Sequence, residues 1–274
     1  MKLLWLPVIL FVVFCVRVGR RIARKLGIIQ GQLEAYRRGD YQSQLRIVEG
    51  LRVRGSEPSD YLFFHGSACL QLGRLEEAER ALRRSLAMET NAGLKTICRD
   101  ELGRALMAQG RWDDAADYFR ECIAESPQRG GGHRAMAELF LRRGDQRVEA
   151  LDAARSAVAA DRAQKAGRTK LGKEGHDINL SESLAFLAWA LAENQADSTE
   201  VDSALKEAFE LCGEAAKPIL AELHFCAGHA HAALRNSSDT SRHFQCATEI
   251  DPAGTYGRLA RSAAASLMHT EAEC

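Results

Sequence analysis

Proline and aromatic residues are scarce in this chain of 274 residues. It contains 5 prolines, and aromatic residues make up 7% of the sequence. Alanine, leucine, glutamate and arginine are frequent instead, and 46% of the residues are hydrophobic. The frequent residue types favour helix, because a straight side chain loses little rotamer freedom there. The composition therefore predicts an all-α protein with a substantial apolar core and excludes a disordered chain.

Net charge is also absent, because 37 basic residues balance 37 acidic residues. A protein that binds nucleic acid over much of its surface needs an excess of lysine and arginine to neutralise phosphates. We therefore expect no nucleic-acid partner.

The eight cysteines include no C-x-x-C pair, and no two of them lie closer than 14 residues. Small secreted proteins that depend on disulfides place their cysteines far more densely. We expect reduced thiols that serve as small buried apolar residues, with structural disulfides as the alternative.

Recognisable catalytic motifs are missing as well. The sequence has no G-x-S-x-G motif, no H-E-x-x-H motif and no paired set of catalytic carboxylates. Scattered Asp and Glu residues on helices are usually solvated. We expect a protein that is not an enzyme and that carries no cofactor.

One apolar run is present near the N-terminal end. Residues 3–16 carry no charge and are followed by five cations within residues 17–25. At about 1.5 Å per residue the run covers roughly 21 Å of the ~30 Å hydrocarbon core, and snorkelling of Arg17 and Lys2 would shorten the gap. Residues 1–24 are thus predicted to be a hydrophobic helix with a basic flank, a single-pass anchor that leaves the body cytoplasmic. A signal peptide, lipid attachment at Cys15 and an interfacial helix are the alternatives.

A turn recurs through the first half of the chain. Gly39, Gly73, Gly110 and Gly144 are 34, 37 and 34 residues apart, and each follows an amphipathic run and precedes a charged residue. Such a period predicts stacked repeat units rather than one folded globule.

Small residues recur in the same register if units open near residues 25, 59, 96, 130, 181 and 221. A small site in the first helix of each unit is occupied by Gln32, Gly66, Gly103, Ala137, Ala188 and Gly228. The matching site in the second helix is occupied by Gln44, Ala78, Ala115, Ala150, Ala204 and Thr240. Four residues further along the same helix face come Val48, Leu82, Phe119, Ala154, Ala208 and Phe244.

This pattern resembles the tetratricopeptide repeat, most closely in GRLEEAERAL at 73–82 and GRWDDAADYFRECIAESP at 110–127. The resemblance implies a right-handed α-solenoid of about six helix-turn-helix units. Units one to four are assigned to 25–161, units five and six to 181–254, and a capping helix with its tail to 255–274. A different helical-hairpin solenoid is the alternative.

Residues 162–180 break the repeat schedule. They contain three glycines and five cations and have no apolar periodicity, so we predict an inserted exposed loop. Residues 167–173 fit the phosphate-loop spacing G-x-x-x-x-G-K, but Glu174 stands where Ser or Thr would bind magnesium. We therefore expect no nucleotide site.

The resemblance also implies a protein-binding adaptor whose concave groove takes a protein or peptide partner. The groove positions carried over from the family are Phe63, Ser67, Leu70, Asp100, Arg104, Met107, Arg134, Glu138, Leu141, Trp189, Phe225 and His229. Asp100, Arg104, Arg134 and Glu138 could instead pair with one another. The Lys and Asn residues of repeats that hold chaperone tails are missing from these positions, which argues against that class of partner.

A metal-linked or redox-linked module is the alternative function. Its possible ligands are His224, Cys226, His229, His231, His243 and Cys246. At about 100° per residue, His224 and His231 share a helix face while Cys226 and His229 point elsewhere. A metal site would therefore need a set such as His224, His243 and Cys246, drawn from two helices, and we expect no metal here.

Overall fold

The computed structural model describes residues 23, 25–52, 56–164 and 170–272. In these ranges the secondary structure is helical, as predicted from composition. The helices are α1 (25–37), α2 (Tyr41–Val48), α3 (Ser59–Gln71), α4 (Leu75–Met88), α5 (Ala92–Ala108), α6 (Trp112–Glu125), α7 (Gly130–Arg143), α8 (Arg147–Ala163), α9 (Lys170–Glu193), α10 (Ser198–Cys212), α11 (Lys217–Ala233), α12 (Ser237–Ile250) and α13 (Thr255–Ala272).

The predicted membrane anchor at residues 3–16 lies outside the described ranges. Among the helices that are described, none combines the length and apolar composition that crossing a bilayer requires.

Consecutive helices form hairpins that stack along the chain. α3 packs on α4, α5 on α6, α7 on α8, α9 on α10 and α11 on α12, while α7, α9, α11 and α13 also lie side by side. Buried apolar side chains run through the whole stack, with Phe119 at the centre of one cluster and Phe186 and Phe244 in the next. This arrangement is a helical solenoid whose first helices share one face.

The predicted small sites are the places where the two helices of a hairpin approach most closely. A Cβ atom added at Gly103 would lie 2.4 Å from Cε1 of Phe119, and one added at Gly228 would lie 2.6 Å from the Phe244 ring. At Gly66 the obstructing atom would be Cγ of Leu82, at 2.7 Å. The obstructing residues Leu82, Phe119 and Phe244 all belong to the predicted stripe on the second helix, four residues after its small site.

The first unit has glutamine at both small sites. Gln32 Nε2 donates to the backbone oxygen of Gln44 at 2.7 Å, and Gln44 Nε2 donates back to the backbone oxygen of Gln32 at 3.4 Å. The two side chains thus occupy the space that glycine and alanine leave open elsewhere, and they satisfy part of their hydrogen-bonding capacity by bonding across the hairpin.

The recurring glycines end the first helices with left-handed backbone. The φ angles of Gly39, Gly73, Gly110 and Gly144 are between 68° and 80°, a conformation that glycine adopts without a Cβ clash. Units five and six place non-glycine residues at the same turn, Gln195 and Arg235, each with a φ of 59°. The turn is therefore common to all six units, although glycine marks only four.

The loop predicted over residues 162–180 is wrong over 170–180. α9 begins at Lys170 and continues without a break to Glu193. The first helix of the fifth unit therefore starts well before residue 181, where the unit was predicted to open. A ring nitrogen of His176 lies 3.1 Å from the backbone oxygen of Asp161 on α8. Helix propensity is a weak prior that tertiary contacts override, and two of the glycines that suggested a loop, Gly172 and Gly175, are accommodated in this helix.

The end of the solenoid contacts its beginning. The hydroxyl group of Tyr41, at the start of α2, donates to Asp251, which follows α12. Arg258 on α13 donates to the backbone oxygen of Gln71 at the end of α3, and Thr255 N donates to the side chain of Gln71 at 3.3 Å. The stack therefore closes on itself, with the first turn of α13 lying against the first two units.

We expect Gly103→Ala to destabilise the protein, because the added methyl group would overlap the Phe119 ring. Overpacking of this kind costs roughly 1–3 kcal/mol, which denaturant unfolding followed by circular dichroism would measure. Gly175→Ala is the matched control: this glycine also lies within a helix, but an added Cβ meets no atom within 4 Å. The control is expected to gain about 0.5–1 kcal/mol from helix propensity. Equal effects of the two substitutions would contradict the close approach at Gly103.

Candidate partner-binding surface

The inner face of the solenoid is formed by the first helices, and it is open at only one end. Along α5, Ile97 is 43% exposed and Met107 is 2% exposed. Between them, the side chains of Asp100 and Arg104 are 30% and 18% exposed. Exposure therefore falls from the N-terminal to the C-terminal end of this helix.

The same gradient recurs on the neighbouring first helices. On α3, Phe63 and Ser67 are half-buried while Leu70 is buried. On α7, Arg134 is half-buried, whereas Glu138 and Leu141 further along are buried. The inner face is thus a cleft that is open at the N-terminal ends of the first helices and closed at their C-terminal ends.

Tyr256, in the first turn of α13, lies at the closed end within a network of charged side chains. Its hydroxyl group donates to Oε2 of Glu138 at 3.1 Å, and Arg104 Nη1 lies 2.8 Å from the same oxygen. Arg142 Nη1 donates to the other carboxylate oxygen of Glu138 at 3.3 Å. A buried carboxylate is thus neutralised by two guanidinium groups, which is the condition under which such burial is tolerated.

A cluster of aromatic rings lies beside this network at the closed end. Trp189 stacks on His229 with ring centroids 4.3 Å apart, and Phe225 packs edge-on against Trp189 at 5.6 Å. Phe225 also lies 5.5 Å from the Tyr256 ring. Burial lowers the pKa of His229 to about 4, so this ring is neutral at physiological pH. The aromatic set is therefore part of the packed interior.

This geometry removes half of the predicted groove residues from the open surface. One reason is that Tyr256, in the first turn of α13, bonds to Glu138 and lies beside Phe225, a long-range contact that repeat periodicity does not indicate. The six buried residues are Leu70, Met107, Glu138, Leu141, Trp189 and Phe225. The six that stay at least partly exposed are Phe63, Ser67, Asp100, Arg104, Arg134 and His229.

At the open end there is a cleft of about 410 Å³ that is lined by α5, by the start of α7, by the C-terminal halves of α6 and α8, and by Asn179 on α9. Leu94 and Ile97 on α5 are large exposed apolar residues beside it. Its lining includes Thr96, Ile97, Asp100, Cys122, Arg129, Gly131, Gly132, Asp161, Gln164 and Asn179. The cleft therefore offers both apolar and hydrogen-bonding contacts.

Arginine residues form ion pairs along the cleft. Asp100, Arg104 and Glu138 pair with one another, as the alternative interpretation of the predicted groove positions had it. Arg104 Nε lies 3.1 Å from Asp100 Oδ2 and thereby links Asp100 to the Glu138 network. Arg134 differs, because its ion-pair partner is Glu182 on α9, at 2.9 Å. The predicted charged groove residues thus form two separate networks.

These networks leave some buried polar atoms without a hydrogen-bond partner in the described part of the chain. They are Asp100 Oδ1, Glu101 Oε2, Glu222 Oε1 and Arg134 Nε. Burial and the nearby Asp100 raise the pKa of Glu101 to about 7. Burial, followed by the charge of Glu182, also raises the pKa of Glu222. The interior beneath the cleft therefore has unsatisfied carboxyl oxygens.

The six possible metal ligands near the C-terminal end are dispersed. His224 Nδ1 lies 2.8 Å from His243 Nδ1, and the rings of His231 and His243 stack at 5.3 Å. Cys226 is fully buried elsewhere, and His229 lies on Trp189. Within the described ranges these residues do not bring three donor atoms within 4.8 Å of one another.

Burial also makes the cysteine thiols poor nucleophiles. It raises the pKa of Cys122 to about 12 and that of Cys226 well above its ordinary value. Because the thiolate is the reactive form, burial disfavours reaction at both groups. The six described cysteines, which include these two, are free.

Three possible metal ligands that were not identified from the sequence lie close together on the second unit. His65, Cys69 and Glu77 place one donor atom each within 4.8 Å of one another. The signal in the sequence was His-x-x-x-Cys, because residues four apart share a helix face. It was overlooked because the third donor comes from the following helix.

Comparison with known proteins identifies the repeat units. Models of the tetratricopeptide repeat match residues 59–91, which cover α3 and α4, and residues 98–129, which cover most of α5 and α6. The chain contains tetratricopeptide repeats. The resemblance inferred from glycine spacing and small sites is thereby confirmed.

A solved structure supports the same fold. TTC0263, a tetratricopeptide repeat protein from Thermus thermophilus, is similar with a TM-score of 0.52 and 15% identity, covering 77% of this chain and 98% of that one. BtubC from P. vanneervenii is less similar, with a TM-score of 0.47 and 14% identity over 84% of this chain and 91% of that one. No curated protein matches the sequence. At these identities the similarity shows the fold alone.

We expect Glu222→Gln to stabilise the protein increasingly as pH rises. A carboxyl group whose pKa is raised by folding contributes stability at low pH, and this contribution is lost as pH rises through the folded-state pKa. The amide does not ionise, so the difference in Tm between variant and parent should grow by at least about 2 °C from pH 5 to pH 9. Glu210→Gln, at an exposed site paired with Lys206, is the control. A difference that stays constant with pH would show that Glu222 titrates normally.

Proposed function

We propose that this protein is a non-catalytic scaffold that binds an extended segment of a partner protein in the open cleft of its inner face. Tetratricopeptide repeat proteins generally act as scaffolds for protein interactions, and a preformed groove binds an extended chain with little ordering cost on its own side. The observation that carries the proposal is the exposure gradient along α5, which leaves Ile97 and Asp100 accessible beside buried polar atoms.

The partner segment that fits this cleft combines apolar residues with a lysine or arginine. Leu94 and Ile97 supply apolar contact area at the mouth. Asp100 retains one carboxylate oxygen without a partner, and Glu101 and Glu222 retain one each deeper in the interior. A cationic side chain would satisfy such acceptors with charge-assisted hydrogen bonds, which are stronger than neutral ones.

This proposal is tested by substitution at the mouth of the cleft. We expect Ile97→Glu to reduce recovery of the partner on immobilised protein by at least about tenfold, because a charge replaces apolar contact area at the mouth of the cleft. Val148→Glu is the matched control, since Val148 is also a β-branched residue exposed on a helix and lies on α8, away from the cleft. Partners recovered equally by all three proteins would refute binding at this cleft.

The basic character of the partner has a separate test. With the captured partner in hand, Asp100→Asn should weaken binding and flatten its dependence on salt, because one charge pair is lost. If neither salt nor this substitution changes binding, the partner segment is not cationic, although the proposal that it binds in the cleft would still stand.

We also propose that residues 3–16 attach the scaffold to a membrane with its repeats on the cytoplasmic side. The support is the uncharged run followed by five cations within residues 17–25. A tether would raise the effective concentration of a partner near the bilayer without any new contact.

Membrane attachment is tested by fractionating cells that express either the whole chain or residues 25–274. We expect the whole chain to remain with membranes after alkaline carbonate extraction and the shorter chain to be released. Release of both would overturn the tether while leaving the cleft proposal intact.

A further inference from the structure

Three side chains of the second unit converge where α3 packs on α4. His65 and Cys69 lie one helical turn apart on α3, and Glu77 is in the first turn of α4. One donor atom from each lies within 4.8 Å of the other two, and His65 Nε2 is 3.0 Å from Glu77 Oε1. No step of the proposed partner binding uses these residues, which are on a different unit from the cleft between α5 and α7.

The donor set matches the chemistry of one cation. Imidazole nitrogen, thiolate sulfur and carboxylate oxygen are all zinc ligands, with bonds of about 2.0–2.3 Å. A tetrahedron with such bonds places its ligand atoms roughly 3.3–3.7 Å apart, which small side-chain rotations reach from the observed separations. A neutral imidazole, a thiolate and a carboxylate would together balance the two charges of Zn²⁺.

The His65 ring is held in place but incompletely satisfied. It stacks on Tyr61 with ring centroids 5.4 Å apart, and the Tyr61 hydroxyl group donates to Glu49 at 3.0 Å. One ring nitrogen contacts Glu77, whereas Nδ1 is buried with no hydrogen-bond partner in the described part of the chain. A cation between His65 and Glu77 would bind Nε2, the ring nitrogen that already faces the carboxylate.

Access and charge also permit a cation here. His65 and Glu77 line a surface cleft of about 430 Å³, while Cys69 lies buried behind them. Arginine residues surround this cleft, but Arg83 is paired with Glu79 and Arg84 with Glu57, each at 2.8 Å. The nearest guanidinium nitrogen to Glu77 belongs to Arg74, at 3.9 Å. Two of the three arginines that line this cleft are therefore paired with acidic residues, while the third, Arg80, donates to the backbone oxygen of Glu76.

We propose that His65, Cys69 and Glu77 form a binding site for one Zn²⁺ ion, with water from the adjoining cleft as the fourth ligand. The ion would join α3 to α4 and so stabilise the second hairpin. This assignment is independent of the proposed scaffold function.

Cobalt spectroscopy of the whole untagged chain tests the site directly, because Co²⁺ replaces Zn²⁺ and reports its ligands by absorption. The chain is first reduced and freed of metal with a chelator. We expect one Co²⁺ per chain to produce visible bands of tetrahedral intensity and a near-ultraviolet band from thiolate-to-metal charge transfer, both of which added Zn²⁺ should abolish. The absence of a charge-transfer band at saturating Co²⁺ would overturn the proposal.

Matched variants locate the binding. Cys69→Ser should lose the charge-transfer band, whereas Cys98→Ser, which alters another buried thiol, should retain it. His243→Ala should also retain it, because that residue belongs to the separate histidine cluster. A band that persists in Cys69→Ser would place the metal elsewhere and refute the assignment.

Glu77→Gln provides a test that does not depend on altering the core, because this side chain is 40% exposed. Loss of an outer-shell partner alone typically costs 10–100-fold in metal affinity. Removal of a direct ligand should therefore weaken Co²⁺ binding by at least about tenfold while the circular dichroism spectrum stays unchanged. Unchanged affinity would exclude Glu77 as a ligand and with it the three-residue site.

Discussion

Close approach of the two helices within each hairpin is the constraint on which the rest of the structure depends. At Gly66, Gly103 and Gly228 the facing side chain occupies the volume that a Cβ atom would need. Close packing of this kind fixes how far the second helix can slide or rotate, because protein interiors have few voids and little compressibility. The position of each first helix, and hence the shape of the inner face, follows from these contacts. In the first unit Gln32 and Gln44 stand at the small sites instead and bond across the hairpin.

Burial of charged residues on the inner face is not determined by the stacking of neighbouring hairpins alone. Each hairpin adds a small rotation, and the rotations accumulate until Asp251 and Arg258 reach Tyr41 and Gln71 at the other end. Closure brings Tyr256 over the face and buries charged residues that would be solvated on an open solenoid. These charges are tolerated because Arg104 and Arg142 both pair with Glu138, whereas the unpaired carboxyl oxygens lie nearer the open end. The acceptors that lack a partner are thus buried oxygens, of which Asp100 Oδ1 belongs to a residue that lines the open cleft.

Periodic features of the fold could be predicted from the sequence, because they depend on residues close in the chain. The turns at Gly39, Gly73, Gly110 and Gly144 and the stripe that includes Phe119 follow from helical geometry within one unit. Burial of Trp189 and Phe225 could not be predicted in this way, since it depends on contacts with other helices: Trp189 packs on His229 of α11, and Phe225 packs on Trp189 and Tyr256. The helix over 170–180 was missed for a related reason: its stabilising contact with Asp161 comes from another helix and outweighs the local preference of glycine.

The interface between the two ends of the solenoid is polar, unlike the interfaces between hairpins. Hairpins pack through buried apolar side chains, each worth roughly 1.5–3 kcal/mol when fully buried, whereas the ends meet through the polar pairs Tyr41–Asp251 and Arg258–Gln71. A hydrogen bond contributes only about 0.5–1.5 kcal/mol net, because water competes for both groups. The contacts between the two ends of the solenoid are thus weaker than the contacts between neighbouring hairpins. Since Phe225 and Glu138 both contact Tyr256 in the first turn of α13, the closed end of the inner cleft depends in part on this polar interface.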